Sequence, residues 1–153
     1  MKKSAKGNMY EVTLEETWDL FGSYLDGSRS ALVCAVSESS LSARARSALE
    51  SSLEALGYGR ESCAYATLDA EIDSAALFLL LEGIDPLCLI ATDETAARAL
   101  GKTYRCHVEP MMASRAFGRT VVAFRNFDTM LDDAQSKQTA WALLKKLPRL
   151  GAH

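Results

Sequence analysis

Ser37-Glu38-Ser39-Ser40, Asp93-Glu94 and Arg125-Asn126-Phe127-Asp128 are the stretches of this 153-residue chain whose side chains suit chemistry. Each follows an apolar run of the kind that forms a buried strand, and in open α/β sheets ligands bind beyond the carboxyl ends of strands. Glu38 is the candidate general base, and Glu38 or Ser37 would hold a water. Asn126 offers an amide to a base edge, and Arg125 a guanidinium to a phosphate. Each also has a structural reading. Glu38 suits a helix dipole, and the asparagine and aspartate suit a turn into a helix. The first loop lacks glycine, so a phosphate cannot be cradled there by close backbone approach. Asp93 and Glu94 fall in the first turn of a helix, where they satisfy exposed amides, stabilise that end by roughly 0.3–1 kcal/mol and repel anions.

Nucleophilic and metal chemistry find little support. The two histidines are His107, inside a long connection, and His153, the last residue. Cys106 and His107 are chain neighbours, which gives a thiolate–imidazole pair no defined geometry. Cys34, Cys63, Cys88 and Cys106 include no C-x-x-C pair, and three lie in apolar strand-like runs where a thiol packs as a small hydrophobe. Reduced thiols, no metal and no cofactor are therefore expected.

Charge is unevenly spread. Residues 98 to 125 hold six bases (Arg98, Lys102, Arg105, Arg115, Arg119 and Arg125) and one acid, a local charge of +5. The remaining residues carry 11 bases and 19 acids, a charge of −8. Such asymmetry marks either an anionic partner or a solvated surface.

The elements that must position these groups follow from hydrophobic spacing. The segment "TLEETWDLFGSYL" opens with a Thr13–Glu16 capping box and repeats Leu14, Trp18, Phe21 and Leu25 at helical intervals. Four apolar strands are expected at 31–36, 62–68, 87–91 and 119–124. Helices are expected after Ser37–Ser40 (closing at Gly57), over 70–83, from 93 to Gly101 and over 133–147. "DGSRS" reads as a turn, and 102–118 as a long loop on which Tyr104, His107, Met111 and Met112 pack inward. Strands that are apolar throughout belong to a parallel sheet covered on both faces. The expected fold is a three-layer α/β/α sandwich with a four-stranded parallel sheet. It forms a single domain over 1–153, with residues 1–10 as a loose tail. No apolar run reaches the roughly 18 residues needed to cross a bilayer, and no signal-peptide h-region follows the first lysines. A cytoplasmic protein with no membrane partner is expected.

"DPLCLIATDETAARALG" resembles the third strand–helix unit of the uracil-DNA glycosylase superfamily, particularly its bacterial and archaeal thermophile-type branch. That family places a proline, an apolar strand, a glycine-containing corner and a T-A-A-x-A-L helix there. Pro86, Leu87–Ala91 and Thr95-Ala96-Ala97-Arg98-Ala99-Leu100 match without gaps, and Asp93 stands at the corner instead of glycine. Leu131, Lys137, Ala140, Trp141 and Leu144 keep the spacing of the family's last helix, and Arg44-Ala45 match its Arg-Ala pair. The likeness spans about residues 31 to 147.

The departures fall on what the family uses for chemistry. Its water-positioning turn is replaced by Val36-Ser37-Glu38-Ser39. Its histidine, which stabilises the departing base, falls at Asn126, with Phe127 and Asp128 for proline and serine. The branch's iron–sulfur cysteines have no counterparts at matching positions. Losing one such donor typically costs about 10²–10³ in rate. The resemblance therefore implies a non-catalytic protein of this fold, whose partners would be DNA or a replication or repair protein, bound through the 98–125 bases. The small psi subunit of bacterial DNA polymerase III resembles the same fold without being a glycosylase. Two alternatives stand beside this. One is a diverged glycosylase using Ser37, Glu38 and Asn126; the other is an α/β binding module docking a partner on Met111, Met112 and Phe117.

Overall fold

The computed structural model describes residues 14–68 and 72–149. A helix over 14–21 (α1) is followed by β1 (Leu25–Gly27), β2 (Val33–Ser37), α2 (Ala43–Ala55), β3 (Cys63–Thr67) and α3 (Ser74–Ile84). Then come β4 (Cys88–Ala91), α4 (Glu94–Tyr104), β5 (Met112–Ala116), β6 (Arg119–Ala123) and α5 (Ala134–Leu144). The expected tail at 1–10, the Thr13 cap, the start of the 70–83 helix and His153 lie outside the described residues.

The expected four-stranded sheet is corrected to six strands, in the order β1-β3-β2-β4-β6-β5. β3, β2, β4 and β6 are mutually parallel. β1 and β5 add antiparallel edges on β3 and β6. Both edges escape the sequence pattern for a physical reason. β1 is three residues long and mostly exposed, and β5 is only half covered, so neither presents the continuous apolar run of a doubly covered strand. The supposed loop at 102–118 is thus the end of α4, a connection and one strand of a hairpin.

Alternation along the strands divides the core in two. Cys34, Val36, Leu89, Ala91, Val121 and Ala123 face α1, α3 and α4, through Trp18, Leu80, Leu81, Ala97 and Leu100. Val33, Ala35, Cys88, Ile90, Val122 and Phe124 face α2 and α5, through Leu49, Leu53, Leu143 and Leu144. Helices therefore cover both faces of the sheet.

Helix ends are set by short polar side chains. Ser42, Asp73, Asp93 and Asp133 each accept a backbone N–H three residues on. Ser42, beyond the expected Ser37–Ser40 cluster, is the cap of α2. Asp85 closes α3 in the left-handed region at φ 55°. Gly101 lies inside α4 rather than ending it, because a Cβ there would stand 2.8 Å from the Cys106 carbonyl. That close approach lets the connection after α4 climb back along the helix. Met112 pairs with Ala123 at the carboxyl end of β6, so residues 105–111 must traverse the height of the sheet.

Candidate functional site

The winding of the parallel strands reverses between β2 and β4, since β3 lies on one side of β2 and β4 on the other. Such a switch point is where an open α/β sheet offers a crevice, and the candidate residues converge on it. Ser37 Oγ and Thr92 Oγ1 lie 2.6 Å apart and are buried. Asp93 joins two loops: Oδ1 accepts Ala96 N–H and Oδ2 accepts Glu38 N–H, both at 2.8 Å. Thr95 Oγ1 donates to Glu38 Oε1 at 3.2 Å. Asn126 Oδ1 accepts Thr129 N–H at 3.1 Å, and its backbone bridges Asp93. Phe127 turns inward, 2% exposed, with its ring centroid 5.0 Å from that of Phe124. Asp128 receives Arg44 Nε at 3.1 Å.

These bonds decide what the crevice can do. The partner of Ser37 is a hydroxyl, not a base, so its oxygen is not activated. The side-chain oxygen of Asn126 is engaged in a turn. The amino end of α4, the natural seat for an anion, carries its own Asp93 and Glu94. Glu38 keeps one open side, lining a groove of about 500 Å³ with Leu68, Asp73 and Lys102.

The outer side of α4 is different. Arg98 and Lys102, at i and i+4, share one face of the helix, and Arg105, the left-handed cap at φ 55°, follows them along the same cleft. With Arg125 they line an open cleft of about 820 Å³ between α4 and the climbing connection, walled by Cys106, Val108 and Pro110. Among the described residues, the side chains of Arg98, Lys102 and Arg105 are exposed and make no hydrogen bond or ion pair. Like charges at this spacing destabilise a helix by about 0.2–0.5 kcal/mol per pair. Arg44 is engaged with Asp128 and Asp132, Arg46 with Asp26 and Arg60 with Glu54, whereas the exposed Arg149 has no such partner among the described residues. Within the cleft, Arg125 Nε stands 3.7 Å from Glu94 Oε2, with both side chains mostly exposed. His107 Nε2 pairs with Glu109 Oε1 at 2.6 Å.

Two of the six bases sit elsewhere. Arg115 reaches across its own hairpin, donating to Thr120 Oγ1 at 3.2 Å and to the Gly118 carbonyl at 2.7 Å. Arg119 is buried, 8% exposed, and bonded to Glu82 at 2.6 Å, Asp85 at 2.7 Å and the Pro86 carbonyl at 2.7 Å. It holds β6 to α3 and faces no open surface.

The thiols separate in the same way. Burial pushes the Cys63 thiol up to about 12 and drives Cys34 higher still. Burial also raises Cys88. Cys106 is half-buried in the wall of the α4 cleft. Among the described residues, no group of three or more His, Cys, Asp or Glu side chains could hold a metal ion. No helix among them is long and apolar enough to cross a membrane.

Sequence reasoning missed one assembly. Phe78, Tyr104 and Phe117 meet with ring centroids 5.2–5.7 Å apart, beside Leu79. Tyr104 OH donates to Glu82 at 2.7 Å, the carboxylate that also holds Arg119. These residues are scattered over 40 positions of chain, and the one local signal was Phe117-Gly118 between two bases. No protein-family model matches the chain, and no curated protein matches it.

Proposed function

We propose that this chain is a non-catalytic protein built on a uracil-DNA-glycosylase-like framework, and that it binds nucleic acid through the outer face of α4. The observation that carries this reading is the row of cations Arg98, Lys102 and Arg105 along one cleft, whose side chains have no partner among the described residues. Lys102 and Arg105 at the carboxyl end of α4 complement the helix dipole, but this leaves their charged ends free, and a phosphate backbone that neutralises the row releases counterions. The four parallel strands and the helices on both faces support the framework. The pairing of Ser37 with Thr92 and the seating of the Asn126 oxygen in a turn support the absence of catalysis, because base excision needs an activated water and a pocket for an extruded base.

The test is a titration of a labelled oligonucleotide at several salt concentrations. The dependence of log affinity on log salt should be steep, and Arg98→Gln/Lys102→Gln/Arg105→Gln should flatten its slope by about 3, one per lost phosphate contact. No binding at low salt, or an unchanged slope, overturns the reading. A uracil-containing oligonucleotide incubated with the protein should stay intact; excision abolished by Asn126→Ala would establish the diverged glycosylase instead.

A further inference from the structure

Phe117 sits where its side chain works against the local fold. Ala116 pairs with Arg119, so Phe117 and Gly118 form a two-residue hairpin loop, and both have positive φ, 51° and 78°. Loops of this kind favour Asn-Gly, because positive φ at the first position disfavours a bulky side chain. The phenylalanine gains little burial in return, remaining 65% exposed. Its ring leans on Tyr104 and Phe78, and Tyr104 is held by Glu82. A conformationally disfavoured aromatic is thus presented to solvent on a rigid base.

Its surroundings join it to the cation row. Lys102 and Arg105 line the basic cleft on one side of α4 and the aromatic groove of about 860 Å³ on the other. From Arg98 to Tyr104 the axis of α4 advances about 9 Å at 1.5 Å per residue, and Arg105 caps that end. A stacked strand carries a phosphate about every 3.4 Å, so that length matches about three phosphates. Cations that follow a backbone, ending beside an exposed ring, are the two components of single-strand recognition. A duplex keeps its bases stacked inside and offers such a ring nothing.

We infer that the partner of this surface is a single-stranded nucleic acid, with its phosphates along Arg98, Lys102 and Arg105 and one base stacked on Phe117. The inference rests on the nucleic-acid reading above and deepens it.

The experiment compares fluorescein-labelled dT10, the dT10·dA10 duplex and labelled poly-L-glutamate, which carries charge without bases, at low salt. Wild type should bind dT10 more tightly than the duplex. Phe117→Asn supplies the residue the loop favours, so it should unfold at the same or a higher temperature. It should nevertheless weaken dT10 binding roughly tenfold, the effect expected for loss of one stacked base, with the salt slope retained. Phe117→Trp should restore affinity, and its fluorescence should be quenched by dT10.

Salt-dependent binding that treats strand and duplex alike and ignores Phe117→Asn overturns the stacking role and leaves the cation row standing. Absence of binding to both nucleic acids overturns the underlying reading as well. Equal weakening of poly-L-glutamate by Phe117→Asn would instead make the surface a dock for an acidic protein segment, and would overturn the assignment of a base.

Discussion

The crevice between β2 and β4 and the outer face of α4 both hold charged and polar side chains, in opposite states. At the crevice, Ser37, Glu38, Asp93 and Asn126 are bonded to one another's loops or to turns of their own. On α4 and its cap, the side chains of Arg98, Lys102 and Arg105 are bonded to nothing among the described residues. A polar group that has found its partner inside the protein contributes to the fold; one that has not is available to a ligand. The switch point is the default site of such a sheet; here Asp93 caps α4 and ties down the Glu38 loop, and Glu38 keeps one open side.

The comparison can be broken at Arg119, a base of the same segment assigned to structure. Arg119→Met removes the guanidinium shared by Glu82 and Asp85, leaving Glu82 with Tyr104 OH and two partly buried carboxylates without their common cation. The expected loss is about 3 kcal/mol, the lower end for a broken buried pair because both carboxylates are partly solvated. The melting temperature should fall by roughly 6–12 °C, while the salt slope of oligonucleotide binding stays unchanged. A flattened slope with unaltered stability would move Arg119 onto the binding surface.

The thiols sharpen the contrast through pH. Burial holds Cys34 and Cys63 protonated in the folded protein at pH values where an unfolded thiol ionises. The unfolded chain then binds fewer protons than the folded one, so stability falls as pH rises. The window opens near the ordinary thiol value of 9.0 and closes for Cys63 at about 12. Each such group contributes a slope of about 1.4 kcal/mol per pH unit. Denaturant midpoints between pH 8 and pH 11 measure the decline, and Cys34→Ala should reduce it. At neutral pH an alkylating reagent should modify Cys106 first, and a bound oligonucleotide should slow that reaction. Equal labelling of Cys34 and Cys106 would show that the sheet is not sealed.

The smallest effect belongs to the crevice itself. Ser37→Ala removes one buried hydrogen bond to Thr92, a loss of about 1 kcal/mol. Oligonucleotide affinity should not change. A changed affinity would mean that a ligand reaches Ser37.

Much of the scaffold was legible because burial on both faces leaves a signature that short windows capture. "ALVCAV", "SCAYATL", "LCLIA" and "RTVVAF" mark the four parallel strands to within one or two residues. Asp93 reads as helix capping from its type and place. β5 was not legible, since an edge strand with one solvated face alternates weakly, and Phe-Gly is an unusual hairpin loop. Of the basic segment, sequence supplied the charge and not its distribution: four of its bases share a cleft, and Arg119 is buried.

By itself the sequence determined the layers, the parallel strands and the excess of positive charge, because periodicity and composition act within a dozen residues. Tertiary structure decided which charges were neutralised. Glu82 reaches Arg119 across 37 positions and Asp93 reaches Glu38 across 55, and no local pattern encodes such meetings. It also brought Phe117 from a presumed loop to the end of the cation row, where close packing of α3, α4 and the hairpin gives an exposed ring a fixed place.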